Sequence, residues 1–253
     1  MQLATWNLER LGFPRRRDTA PIRAHTERVH ADVWVFTETI EDLSPGTGYQ
    51  GVSTTSYDRE QAPDEVWTKI WSRWPIERVE SVSDPARCVA ARIVHPRRGP
   101  FIVYGTVLPW RGSTWRGLTD AGGVAFGAAL EAQAADCLAL RAAYPEEDLL
   151  VIGDLNQQLG VGAPWFYGSK PNEQRLREVF ARLGLIAFTE GDNDPVRRDS
   201  HPMASIDHIG GPERWASRVR QATRWPDAPA PISGLSDHFG VAVELDFDGP
   251  SSE

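Results

Sequence analysis

Apolar residues in this chain gather in short runs. Residues 3–6, 33–37, 66–71, 88–94, 101–107, 149–153, 205–209 and 239–245 are rich in β-branched or aromatic side chains, and several are bounded by Gly or Pro. Runs of that length and composition predict strands. Three other segments repeat at helical spacing. Ile22, Thr26 and Val29 follow Pro21, which suits the first turn of a helix. Phe126, Leu130, Ala134, Cys137 and Leu138 form one stripe of a second helix. Leu176, Val179, Phe180 and Leu183 fall at i, i+3, i+4 and i+7 of a third, which stops at Gly184.

The helices are few and widely spaced among the strands. A parallel βαβ alternation needs a helix between nearly every pair, and residues 66–107 contain none. The pattern therefore predicts an antiparallel or mixed α+β architecture. Two sheets packed face to face and covered by helices is the economical arrangement for so many strands. No repeat, low-complexity block or Ser/Gly linker marks a boundary, so residues 1–245 read as one domain. Residues 246–253, acidic and small, read as a fraying tail.

Composition narrows the class. The chain has 253 residues, enough for one large core. No stretch holds the roughly 18 to 20 uninterrupted apolar residues of a membrane span. The N-terminus shows neither a basic nor an apolar leader segment, and the two cysteines, Cys88 and Cys137, are too few for a disulfide framework or thiolate metal site. Both are expected to be buried spectators, and the cytoplasm is the expected location. A net charge of −8 argues against salt-driven coating of duplex nucleic acid. It does not exclude a nucleic-acid substrate, because net charge says little about a cleft. Three arginine clusters, Arg15 to Arg17, Arg97-Arg98 and Arg197-Arg198, could face such a substrate but read first as solvated loop charges.

Polar residues at the ends of the apolar runs change the picture most. Asn7 follows the first run, Glu38 the second, and Asp154 and Asn156 the run that ends at residue 153. Asp207 interrupts an apolar run, and Asp237 and His238 precede the last. One such residue is usually a turn former. Several at strand ends converge on one rim of a sheet. Carboxylates and amides without cysteine are hard oxygen donors, suited to Mg²⁺ or Mn²⁺. A His beside carboxylates supplies an acid or electrostatic partner. With a carboxylate that orients water, the set matches hydrolysis at phosphorus.

The blocks Thr5-Trp6-Asn7-Leu8-Glu9, Thr37-Glu38-Thr39, Gly153-Asp154-Leu155-Asn156, Ser205-Ile206-Asp207-His208-Ile209 and Ser236-Asp237-His238-Phe239-Gly240-Val241 occur in that order. Together they resemble the successive motifs of the endonuclease/exonuclease/phosphatase superfamily. The resemblance implies a four-layer α/β sandwich with two central mixed β-sheets flanked by helices. It implies Glu38 as principal metal ligand, with Asn7, Glu9 and Asp237 near the ion, although many relatives lack an acid at Glu9. Asp154 would orient or deprotonate the attacking water, and Asn156 and Asn7 would hold the phosphate. His238 would stabilise charge on the scissile phosphate and Asp207 would hold its imidazole. The expected partner is a phosphoester, nucleic acid or small organic phosphate, and the expected cofactor is Mg²⁺, with Mn²⁺ an alternative. A monomer without membrane contact is expected.

One position departs from the pattern. The superfamily carries a His or Tyr after the strand corresponding to residues 101–107, and here that place holds Val107. Arg111 or Arg116 could act in its stead, and Trp110 could stack on a substrate part. Trp115, Trp165 and Trp225 also fall in loop-like segments, where they could do the same or anchor loops; Trp6, Trp34, Trp67 and Trp71 read as core. Val107 also supports a rival reading, a catalytically weak phosphate- or nucleic-acid-binding protein that keeps the fold.

Overall fold

The computed structural model describes residues 1–10, 18–55, 62–80, 82–160, 167–197, 204–227, 231 and 235–247. Fourteen strands and three α-helices follow in order: β1 (Gln2–Asn7), α1 (Ala20–Val29), β2 (Val33–Ile40), β3 (Gln50–Ser53), β4 (Glu65–Ser72), β5 (Ile76–Val79), β6 (Cys88–His95), β7 (Gly99–Val107), β8 (Thr114–Trp115), β9 (Leu118–Thr119), α2 (Val124–Ala143), β10 (Asp148–Asp154), α3 (Lys170–Arg182), β11 (Leu185–Ala187), β12 (Asp207–Pro212), β13 (Val219–Trp225) and β14 (Gly240–Leu245). The first sheet runs β13-β14-β1-β2-β4-β3 and the second β11-β12-β10-β7-β6-β5.

Each sheet has one parallel pair at its centre, β1 with β2 and β7 with β10, and is otherwise antiparallel. Parallel neighbours need a crossover. α1 spans the first and α2 the second. The helix-free stretch from β4 to β7 lies in antiparallel pairings, as the spacing of the runs predicted.

Alternation along the strands builds the layers. Leu3, Val33 and Val35 face Val103, Leu150 and Ile152 of the other sheet in a shared inner core. Ala4, Trp6, Trp34 and Phe36 point the other way, onto Ile22 of α1. Phe126, Leu130, Leu176 and Phe180 of α2 and α3 cover the outer face of the second sheet. The central strands are thus apolar on both faces, which is why their sequences read as continuous runs. Complete burial of Trp6 and Trp34 stabilises the first sheet by roughly 2 to 3 kcal/mol each. The result is a four-layer sandwich, helix–sheet–sheet–helix.

Several details differ from the sequence reading. Leu138 lies outside the buried stripe of α2 and is exposed, because the stripe turns through Ala129, Gln133 and Leu140 instead. One helical segment among the described residues, Ala121–Ala143, is long and apolar enough to cross a membrane. More than half of it is buried against the second sheet and α3, so its apolarity is that of a core helix. Trp225 ends β13 and packs on Trp6 and Trp34 at 5.7 and 5.5 Å between ring centres; it is core and not loop. Trp115 is also buried, its indole N–H donating to Asp84. At the start of the C-terminal tail, Asp246 N–H donates to Arg218 O, and Phe247 lies edge-on to Trp215 at 4.9 Å. Trp165, Arg15 to Arg17, Arg198 and residues 248–253 lie outside the described residues. Cys88 and Cys137 are buried free thiols.

Candidate active site

The parallel pairs bring four C-terminal strand ends to one rim, where ligands bind in open α/β sheets. Asn7 ends β1 and pairs in register with Thr37 of β2. Its Nδ2 donates to Glu38 Oε1 at 3.2 Å and to Asp154 Oδ2 at 2.9 Å, so one buried amide ties the first sheet to the second. Its Oδ1 accepts from the Glu9 N–H at 2.8 Å, and Ser236 Oγ donates to its carbonyl at 2.6 Å. Glu38 takes a positive φ of 49° near the end of β2, an uncommon conformation for a non-glycine residue. Such strain is often concentrated where function fixes a side chain.

Asp154 ends β10 and stands opposite Asp207 across the antiparallel β10–β12 pair. Residues opposite one another share a sheet face, so two carboxylates meet in the interior. Asp154 Oδ1 accepts from Asn156 N–H at 2.9 Å, and its Oδ2 from Asn156 Nδ2 at 3.1 Å. Asn156 also donates to Leu108 O at 2.9 Å, fixing the loop after β7. Asp207 Oδ2 binds His238 Nδ1 at 2.6 Å, while Asp207 Oδ1 is buried with no hydrogen-bond partner among the described residues. His238 Nε2 lies 3.7 Å from the exposed Asp237 carboxylate. Ser236 shapes this turn by accepting the His238 N–H at 2.9 Å.

Electrostatics follow from this crowding. Burial, and next the charge of Asp207, push the Asp154 carboxyl up to about 8, against the pull of His238. Burial alone would strip the proton from His238. The adjacent Asp207 overrides it, with help from Asp154 and Asp237, and raises the imidazole to about 10. Glu38 is raised by burial, opposed by its bond from Asn7 and by Arg10, whose guanidinium lies 3.5 Å away. The rim therefore holds an imidazolium beside a carboxylate that binds protons readily near neutrality.

A cavity of about 210 Å³ opens onto this rim, lined by Asn156, Asp207, Asp237, His238 and Tyr167 among others. On the Glu38 side, the half-buried Trp110 leans on the buried Trp67 at 5.9 Å between ring centres. Arg87 lies 4.6 Å over the Trp67 ring and Arg10 5.1 Å over it. This stack absorbs Trp110 into a cation–π cluster.

The structure brings Asn7, Glu38, Asp154, Asn156, Asp207 and His238 together, with Asp237 at the mouth and Glu9 beside Asn7. Among the described residues, Asp154, Asp207 and His238 form a group of donor atoms all within 4.8 Å of one another; no third acid joins Glu38 in such a group. Arg111 is exposed. Arg116 is turned away, donating to Ser83 O and covering Trp115. Arg98 is held by Asp148 and Trp215. His208 faces away from Asp207: it is fully buried between Thr189 Oγ1 at 3.0 Å and Gln157 O at 2.9 Å, and burial lowers its pKa. Tyr167, Arg10 and Arg87 were not legible as site residues, because nothing in their local spacing marks them.

The donor set fits a hard divalent cation. It consists of carboxylate oxygens without thiolate, and Asp207 Oδ1 is an orphaned buried acceptor. His238 Nδ1 is already occupied by Asp207, so that nitrogen is not available as a ligand.

No protein-family model matches the chain, and no curated relative does either. Solved structures do. The 3′-5′ exonuclease NExo from Neisseria meningitidis is 19% identical over 98% of this chain and 100% of its own, with a TM-score of 0.65. The AP endonuclease from Archaeoglobus fulgidus is 15% identical over 97% of this chain and 99% of its own, with a TM-score of 0.66. The endonuclease/exonuclease/phosphatase from Beutenbergia cavernae is 19% identical over 97% of this chain and 71% of its own, with a TM-score of 0.64. The 3′ phosphatase NExo from Neisseria, bound to a product DNA hairpin, is 17% identical over 98% of this chain and 100% of its own, with a TM-score of 0.65. At such identities the likeness establishes architecture, and the chain has the fold of the endonuclease/exonuclease/phosphatase superfamily.

Proposed function

We propose that this chain is a divalent-metal-dependent phosphoester hydrolase whose substrate is a nucleic-acid phosphate. The observation that carries the reading is the continuous link Glu38–Asn7–Asp154, facing Asp207–His238 across one sheet register. It sets a proton acceptor against a fixed cation, as displacement at phosphorus requires.

Each residue then has a task. Asp154 takes a proton from the attacking water while Asn7 and Asn156 hold its carboxylate in one orientation. Its raised proton affinity suits a base working near neutrality. His238 stabilises the negative charge that builds on the phosphate oxygens, and Asp207 keeps it charged and aimed. Glu38, with Asn7, Glu9 and Asp237 around it, would hold a Mg²⁺ or Mn²⁺ ion. That ion would supply further charge neutralisation at the phosphate. The neighbours named as exonuclease, 3′ phosphatase and AP endonuclease support a nucleic-acid substrate.

The test is turnover of bis(p-nitrophenyl) phosphate and of nicked or abasic DNA with Mg²⁺ or Mn²⁺. EDTA should abolish it, and Asp154→Ala should lower it by about 10²- to 10⁴-fold with the fold intact. Phosphate or DNA binding without turnover of any of these would instead favour the binding-protein reading.

A further inference from the structure

Expulsion of an alkoxide from phosphorus leaves an oxygen that must gain a proton. Val107, at the end of β7, is fully buried and carries none. Among the described residues that line the cavity, three side chains bear a proton of this kind: Ser205, His238 and Tyr167. Ser205 Oγ is committed, donating to Asp207 O at 2.5 Å. His238 is held through Nδ1 by Asp207 and carries the charge that meets the phosphate. That leaves the phenol.

Tyr167 is built into position. Its backbone N–H donates to Gln158 Oε1 at 2.6 Å, and the Ser169 N–H donates to Gln157 Oε1 at 3.0 Å. Between them Gly168 takes φ +83°, and a Cβ there would stand 2.2 Å from Gln157 Oε1, so the loop closes on the glutamine only with glycine. The Gln157 carbonyl is in turn clamped by the buried His208 of β12. The Tyr167 side chain lines the same cavity as Asp207 and His238, and a phenol carries one proton that it can donate.

We propose that Tyr167 donates the proton to the departing oxygen, a role resting on the hydrolase reading above. The P–O bond breaks as the phenol O–H bond breaks and the new alcohol O–H forms. The tyrosinate then recovers a proton from solvent water. Burial and the nearby Asp154 and Asp237 push the phenol up to about 12, so it stays a donor throughout the physiological range.

The experiment is a leaving-group series of phosphodiesters, p-nitrophenyl, phenyl and methyl, with wild type and Tyr167→Phe. An acid matters little to an activated leaving group and much to a poor one. Tyr167→Phe should lose only a few-fold on the p-nitrophenyl ester and about 10²-fold or more on the methyl ester. Tyr167→His, which restores a donor, should recover part of that loss, and both variants should melt with the wild type. Equal losses along the series, or none, would overturn the assignment and leave the hydrolase reading standing. Absence of wild-type turnover on every ester would remove both.

Discussion

Asp154 and His238 both hold protons more tightly in the fold than in the open chain, and that has a consequence for stability. The Asp154 carboxyl rises from its ordinary 3.8 to about 8, and His238 from 6.5 to about 10. Between those limits the native state binds more protons than the unfolded state, so stability falls as pH rises. Without divalent cations, the free energy of unfolding should drop by several kcal/mol between pH 5 and pH 9, through Asp154 at the lower end of that range and His238 at the upper. Asp154→Asn removes the buried acid and should flatten the part of that curve below pH 8. Denaturant titrations across the range will show it; an unchanged slope in Asp154→Asn would mean Asp154 is ionised throughout. Both residues were readable in the sequence as polar breaks at strand ends. Tyr167 was not, since its place at the rim depends on a loop closed by the Gln157 and Gln158 side chains that follow β10.

The β7–β10 pair sets the rim at the scale of elements. Gly153 precedes Asp154 at φ +144°, and a Cβ there would lie 2.0 Å from the Thr106 carbonyl oxygen of the neighbouring parallel strand. Backbone cannot step aside as a side chain can. Gly153→Ala should therefore cost on the order of 2 to 4 kcal/mol and displace Asp154 from Asn7, lowering activity more than the stability loss alone would. Thermal melts alongside kcat will separate the two, and a variant that melts like wild type would contradict the steric account. Central strands and all three helices were legible because their apolar patterns are strong. The short edge strands β3, β5 and β11 were not, being three or four residues long with one side to solvent. β13 was also missed, because Arg220, Gln221 and Arg224 break its apolar pattern.

For the whole molecule, a divalent ion held only by the assembled rim should stabilise the native state. Mg²⁺ or Mn²⁺ at about ten times its dissociation constant should add about 1.4 kcal/mol and raise the melting temperature by roughly 3 to 6 °C. Glu38→Gln should abolish that shift. A shift retained in Glu38→Gln would place the ion elsewhere, with the Asp154–Asp207–His238 group as the alternative. By itself the sequence determined the alternation that makes two-faced apolar strands, the helices at the crossovers, and the order of polar residues at strand ends. These are local: each follows from a residue and its near neighbours in the chain. Only the tertiary structure decided that Asn7 bridges two sheets, that Asp154 and Asp207 share a register, and that Tyr167 faces the same cavity as His238. Those contacts join residues far apart in the chain, 147 positions in the Asn7–Asp154 bond, and their energies depend on a shared, water-poor interior that no local pattern encodes.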